Sequence, residues 1–136
     1  LDSTVEDVPL PDGVTVEYHN LPQAPDFSGN ALARYEFPAF GGTVCIHGEV
    51  QYSGAFCFTV LCAPVEEEGA YTVTNARLSF EGASGRWNVA AFVNNLTEER
   101  YRVYAFDSSL FAGVVAGVYG RPRWYGLSAT LRFGAP

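Results

Sequence analysis

The residues in this chain that could do chemistry are few and scattered. Nucleophilic catalysis would need a base beside a Ser or Cys, and the histidines are only His19 and His47. Neither lies in a recognisable motif, and His47, close to Glu49 in a strand-like stretch, reads as a lumen-facing or solvated polar side chain. Three cysteines make an odd number, which excludes a complete disulfide framework. Cys57 and Cys62 could pair across a loop in an oxidising compartment or stand as small thiols without a role, while Cys45 reads as a small strand residue. The acidic run Glu66-Glu67-Glu68 lacks partners at metal-ligand offsets and reads as a solvated loop edge. Gly113, Gly117 and Gly120 open no helix, so they read as turn residues and not as a phosphate cradle. No catalytic residue, no metal site and no cofactor is expected, and the chain reads as something other than an enzyme.

Charge and composition narrow the remaining classes. Eight basic residues, all Arg, stand against 15 acidic ones for a formal charge of −7, and no segment gathers the cations that a phosphate backbone requires. Nucleic acid is therefore excluded as an expected partner. Hydrophobic residues at 48% with 15% aromatics suffice for folding, so disorder is not expected. The longest nearly unbroken apolar run, Leu110 to Tyr119, is about half of the roughly 20 residues a spanning helix needs. Leu1 to Gly13 has neither the basic nor the apolar region of a signal peptide, so if the chain is exported its signal is expected upstream.

The elements that must position any site are strands. Leu1 to Asp26 is acidic and broken by Pro9, Pro11, Pro22 and Pro25, which predicts irregular chain with a short strand at Val14 to Tyr18. Five longer segments then alternate with period two: Phe27 to Phe37, Thr43 to Ser53, Ala70 to Glu81, Arg86 to Asn94 and Trp124 to Phe133. The second is the cleanest, with Val44, Ile46, Gly48, Val50 and Tyr52 opposite Cys45, His47, Glu49 and Gln51. The fourth is expected to resume, past a bulge at Asn94 to Glu98, through Arg100 to Ala105. Pro38 to Gly42 and Gly82 to Gly85 predict short turns after strands one and three. Long loops, Gly54 to Gly69 and Phe106 to Arg123, follow strands two and four.

That alternation of short and long connections is the pattern of outer-membrane barrels, and strands of about ten residues match the 9–11 that cross a bilayer at a tilt. Aromatics at strand ends, among them Tyr35, Phe37, Tyr52, Tyr71, Phe80, Trp87, Trp124 and Tyr125, fit interfacial girdles. The expected fold is all-β, an antiparallel up-and-down meander of about five long strands forming a segment of a transmembrane β-barrel. Residues 1–26 are read as an irregular, extracellular-loop segment, 27–133 as barrel strands and 134–136 as a tail. A soluble all-β module binding a small ligand or glycan has the same periodicity with its apolar face turned inward. Which parity of the last strand is exposed separates the two.

The text of the second half carries a family resemblance. Tyr71 to Phe80, then Gly85-Arg86-Trp87-Asn88-Val89, then Asn95-Leu96-Thr97-Glu98-Glu99-Arg100-Tyr101, and the ending Tyr119 to Phe133 together resemble the C-terminal part of a TonB-dependent outer-membrane receptor. Asn20-Leu21-Pro22-Gln23-Ala24-Pro25 is similar to the family as well, so the resemblance runs from Asn20 to Phe133. It implies a bacterial outer-membrane location, uptake of a scarce ligand such as a ferric siderophore, and membrane lipid as surroundings. The family's barrel has about 22 strands and a plug; this chain reads as a fragment whose partners are the remaining barrel and plug, with TonB reached only through that plug. Tyr125, Gly126, Leu127, Leu131 and Phe133 match the family's terminal signal for the barrel-assembly machinery, although Gly134-Ala135-Pro136 follows where the family usually ends. Residues that touch ligand, if any do, are the loop aromatics Phe56, Phe58, Tyr104, Phe106 and Phe111, or lumen-facing Arg34, Arg77 and Arg121. Rings stack on such ligands and Arg pairs with their anionic groups. Loop packing is the plainer account of the same aromatics.

Overall fold

The computed structural model describes residues 4–5, 8–9, 13, 15–16 and 19–133. In chain order its elements are β1 (Thr4–Val5), β2 (Val8–Pro9), β3 (Thr15–Val16), β4 (His19–Asn20), β5 (Ser28–Ala39), β6 (Gly42–Ser53), β7 (Phe56–Cys57), β8 (Glu67–Glu68), β9 (Tyr71–Gly82), β10 (Trp87–Asn94), β11 (Arg102–Ser108), α1 (Ser109–Ala112), β12 (Val114–Tyr119) and β13 (Trp124–Leu131). They divide into two units. One is a sheet unit (30–51, 72–99 and 121–136) and the other a loop unit (1–29, 52–71 and 100–120).

The sheet unit holds most of a five-stranded meander in the order β13-β10-β9-β6-β5, all five strands of which the alternation predicts. Register shows why the alternation matters. Val89 faces Phe80 and Ala129, Ala91 faces Leu78 and Leu127, and Trp87 faces Leu131, so one parity of three strands makes a single apolar face. That face has no cover among the described residues: Leu127 is 86% and Tyr125 80% exposed, and Leu78, Val89 and Leu131 are exposed with them. The opposite parity aligns Arg77 with Phe92, Ser79 with Ala90 and Ser128, and Glu81 with Asn88.

β5 runs through Pro38, which the sequence reading had placed in a turn. Proline removes a ladder donor, and β5 tolerates it as an edge strand of this sheet. The turn shrinks to Phe40 and Gly41 at φ 54° and 71°, the two left-handed residues of a primed hairpin turn whose twist matches its strands.

The expected bulged continuation of strand four is absent. Chain 95–99 instead makes a tight turn with Asn95 and Glu98 at φ 53° and 59°, and β11 pairs with β12 in a separate hairpin. Asn95 fixes this outcome locally. Its backbone N–H donates to Asn75 Oδ1 (3.0 Å), its Oδ1 accepts from the Glu99 N–H (2.8 Å), and its Nδ2 donates to the carbonyls of Glu99 (2.8 Å) and Arg121 (3.1 Å). Asn tolerates the left-handed backbone that the turn needs.

In the loop unit the two long connections carry secondary structure of their own. β7 pairs with β8, β11 pairs with β12 across the single turn α1, and β1–β4 and β2–β3 make short ladders. Thr15–Val16 falls within the predicted strand at Val14 to Tyr18, whose other members lie outside the described residues, as does the 134–136 tail. Cys57 and Cys62, left open by the sequence, form a disulfide with Cα atoms 5.2 Å apart. Cys45 is free in β6.

Candidate functional site

On the polar face of the sheet unit, residues of four strands converge on a hollow of about 340 Å³ lined by His47, Glu49, Asn75, Ala76, Arg77, Phe92, Asn94 and Trp124. Its polar groups are pre-set: Glu49 accepts from Gln51 Nε2 at 2.7 Å and from Asn75 Nδ2 at 3.3 Å, and Asn75 Oδ1 is held by the Asn95 N–H. Its apolar wall is Phe92 packed edge-on against Trp124 at 5.0 Å. Gly126, opposite Phe92 in register, makes this possible because a Cβ there would lie 2.7 Å from the ring. A ring surface beside fixed acceptors and a cation can stack and hydrogen-bond a small polar molecule.

Of this lining the sequence points to Arg77 as lumen-facing and to His47, beside Glu49, as lumen-facing or solvated; it does not single out Asn75, Phe92 or Asn94, and it groups Trp124 with the girdle aromatics. Register puts Trp124 opposite Asn94, on the polar parity, so its signal was the strand alternation itself. Arg77 donates to Ser128 Oγ at 3.4 Å. Arg34 lies on β5, outside the hollow, where its guanidinium is taken by Glu36. Arg121 is exposed in the segment before β13 and contributes its carbonyl to Asn95.

The loop unit gathers four of the five predicted aromatics. Phe56 meets Phe58 edge-on at 5.1 Å, Phe58 meets Tyr104 at 6.3 Å, and Tyr104 meets Phe106 at 5.9 Å. Phe58 is buried and Arg102 lies over its ring at 5.9 Å, so this cluster serves as the loop unit's own packing. Phe111 stands apart, 95% exposed at the tip of the β11–β12 hairpin beside Leu110.

The acidic run corrects the sequence reading most sharply. Glu67 is exposed as expected, but Glu66 and Glu68 are only 4% and 7% exposed. Glu66 accepts from Thr59 Oγ1 (2.5 Å) and the Ala63 N–H (3.2 Å) on one oxygen and from the Asp107 N–H (3.0 Å) on the other. Glu68 accepts from Arg102 Nε (2.6 Å) and the Arg102 N–H (3.1 Å), while Arg102 also donates to the carbonyls of Val65 (2.7 Å) and Glu67. Buried carboxylates persist only when paired and saturated in this way. At the hairpin tip, hydrogen bonds from Ser109 hold the Asp107 carboxyl below its ordinary value. Of the terminal-signal residues, Tyr125, Leu127, Leu131 and Phe133 are exposed and Gly126 receives Phe92.

No protein-family model matches this chain, and no curated protein sequence matches it. Among solved structures, the ferric yersiniabactin uptake receptor FyuA from Yersinia pestis matches with a TM-score of 0.75 over 85% of this chain, at 19% identity. The chain spans 17% of that receptor's length. At that identity the likeness speaks for the fold: this chain is an all-β antiparallel meander folded like part of an uptake receptor's barrel.

Proposed function

We propose that this chain is a strip of an outer-membrane receptor barrel that takes up a scarce ligand such as a ferric siderophore, and that it performs no catalysis. The observation that carries the reading is the registered apolar face, exposed from Leu78 across Val89 to Leu127. Bare in water, a face of that kind is an association hazard, whereas against lipid it is the ordinary exterior of a barrel wall. The polar parity then faces the lumen, and the hollow at Glu49, Asn75 and Trp124 contributes polar and aromatic groups to it. The Cys57–Cys62 bridge accords with an exported protein. Lipid, the rest of the barrel, a plug through which TonB acts, and the barrel-assembly machinery are the partners this reading requires.

Ultracentrifugation of the chain in detergent-free buffer and in detergent tests it. Two unpaired edge strands and an uncovered apolar face predict aggregation in water and dispersal in detergent. A monodisperse monomer in water, with Leu127 and Tyr125 protected there, would sink the proposal in favour of a soluble binding module.

A further inference from the structure

The outer edge of β11 is latched to the loop between β7 and β8 at two points. Near its start the Arg102 N–H donates to Glu68 Oε1 at 3.1 Å, and near its end, where the hairpin tip begins, the Asp107 N–H donates to Glu66 Oε1 at 3.0 Å. The two latches are supported differently. Glu68 lies in β8 and carries the Arg102 guanidinium. Glu66 is 4% exposed and its donors are uncharged: besides the Asp107 N–H, Thr59 Oγ1 and the Ala63 N–H donate to Oε2 at 2.5 and 3.2 Å.

The Cys57–Cys62 bridge governs where those two donors stand. Cys57 is anchored in β7, opposite Glu67 of β8, and its carbonyl accepts the Gln23 N–H at 2.8 Å. Chain 58–66 belongs to neither strand, and Cys62 within it holds φ 48°, a region that residues with a β-carbon rarely adopt. The bridge therefore ties the irregular part of the loop, with Thr59 inside the closed ring and Ala63 next to it, to the anchored part. Both cysteines are half-buried and Leu61 beside Cys62 is 54% exposed, so the bridge lies within reach of a reagent from solvent. We propose that the Cys57–Cys62 bridge is a thiol-exchange site through which a dithiol reductant releases the tip of the β11–β12 hairpin.

The exchange is balanced by the dithiol. One of its thiolates attacks a bridge sulfur and expels the other as a thiolate, which takes a proton; its second thiol then displaces the attacked protein sulfur, which is protonated in turn. The bridge gains two electrons and two protons, and the dithiol leaves as a disulfide. With the ring open, Cys62 is free to leave its left-handed backbone and carries Ala63 and Thr59 away from Glu66. A carboxylate that has lost two of three donors does not stay buried, so Glu66 turns to water and lets go of Asp107. Glu68 keeps Arg102 throughout. Every group of the latch belongs to the loop unit, so the switch goes beyond the barrel reading and stands without it.

Amide hydrogen exchange of the full chain in detergent, followed residue by residue by NMR, is the test, with dithiothreitol as the dithiol. Alkylation and intact mass should count one free thiol, Cys45, before reduction and three after it. Reduction should speed exchange at Asp107 about tenfold, as loss of two hydrogen bonds to a buried carboxylate implies, and leave Arg102 within about twofold. Cys57→Ser with Cys62→Ser should reproduce the reduced chain without reagent. Thr59→Val, which removes one donor and keeps the bridge, should give part of the effect. A bridge that stays closed in dithiothreitol overturns the site, and unchanged exchange at Asp107 in the reduced and double-serine chains overturns its coupling to the tip. Equal acceleration at Arg102 and Asp107 also overturns it, because the bridge would then hold the loop unit as a whole. Absence of protection at Asp107 in the oxidised chain removes the latch itself. A soluble monomer in water would sink the barrel reading and leave each of these outcomes readable.

Discussion

The two units of this chain solve the problem of burying polar groups in opposite ways. The loop unit turns polar groups inward: Glu66 and Glu68 are buried with every carboxylate oxygen occupied, and the half-buried Arg102 pairs with Glu68 and lies over the buried Phe58. In the sheet unit Leu78, Val89, Leu127 and Leu131 lie exposed on one parity, while the other carries the buried Ala90 and the Phe92–Trp124 pair over Gly126. Backbone ladders hold that sheet whatever the solvent, but its apolar face has a low free energy only when something apolar covers it. One chain thus contains a part whose stability is internal and a part whose stability belongs to its surroundings. Substitutions should separate the two.

The largest effect is expected in the loop unit. Arg102→Ala leaves Glu68 buried without its cation and removes donors to Val65 and Glu67, at a cost of about 3–5 kcal/mol. Proteolysis should then cut within 54–69 and 102–119 while the long strands stay intact. Replacing Arg102 and Glu68 together by Met and Leu should restore much of the resistance, since an apolar pair leaves no unpaired charge. Resistance unchanged in Arg102→Ala would mean that the network does not hold the hairpins.

The next effect belongs to the sheet unit and has the opposite dependence. Leu127→Arg places a cation on the apolar parity and should cost about 2–4 kcal/mol of folded stability in bilayers if it lies near the midplane, whereas Ser128→Arg on the other parity should cost little. Heat-modifiable mobility of folded protein in bilayers, with the remaining barrel strands joined to this chain, measures both. The loop unit's protease resistance should be unaffected by either. An equal loss at the two neighbours would erase the distinction between faces on which the proposed function stands. Phe133→Ala, also on an exposed side chain, should lower the amount assembled in an outer membrane more than it lowers stability once folded, a split that only a recognition role predicts.

These expectations also mark what could be read in the sequence. Strands declare themselves because each step turns a side chain to the other face, and β6 does so cleanly from Thr43 to Ser53. The polar face was legible in the same alternation, although Glu49 and Asn75 meet only because β6 and β9 are neighbours. Glu66 and Glu68 were illegible for a stronger reason. A glutamate is buried only if its partner is present, and the partners, Arg102 and the Asp107 N–H, lie 34 and 41 residues away. The hairpin β11–β12 was missed because aromatic and β-branched residues from Arg100 to Ala105 satisfy a continued strand equally well. One side chain, Asn95, decided against it by closing the turn.

Asn95 gives the next test in size. Asn95→Ala should cost about 1–3 kcal/mol, because the backbone groups of Glu99 and Arg121 lose their partners and Ala is poorly suited to φ 53°. Asn95→Asp keeps an acceptor for the Glu99 N–H but cannot donate to either carbonyl, so denaturation midpoints in detergent should place it between wild type and Ala. Asp as damaging as Ala would mean that the donated bonds dominate and the acceptor adds little.

The smallest effect is a pH response confined to the loop unit. Hydrogen bonds from the Ser109 side chain and from its N–H, the latter to Asp107 Oδ1 at 2.8 Å, favour the charged form and lower the carboxyl's pKa in the folded chain. A group depressed on folding contributes stability above its unfolded value, about 3.9 for Asp, and that contribution disappears as pH falls through the lower folded value. Order at the hairpin tip should therefore persist through the pH range where an ordinary aspartate protonates and loosen only below it. Asp107 is fully exposed, so the response should be local and small. The Ser109 amide nitrogen shift, followed by NMR in detergent from neutral pH downward, reports it directly. Its midpoint should lie below the ordinary Asp value, and Asp107→Asn should abolish the titration without altering amides of β9 or β10. A midpoint at or above the ordinary value would show that the tip is not held by these bonds, leaving Leu110 and Phe111 at the end of a hairpin ordered only by its β11–β12 ladder.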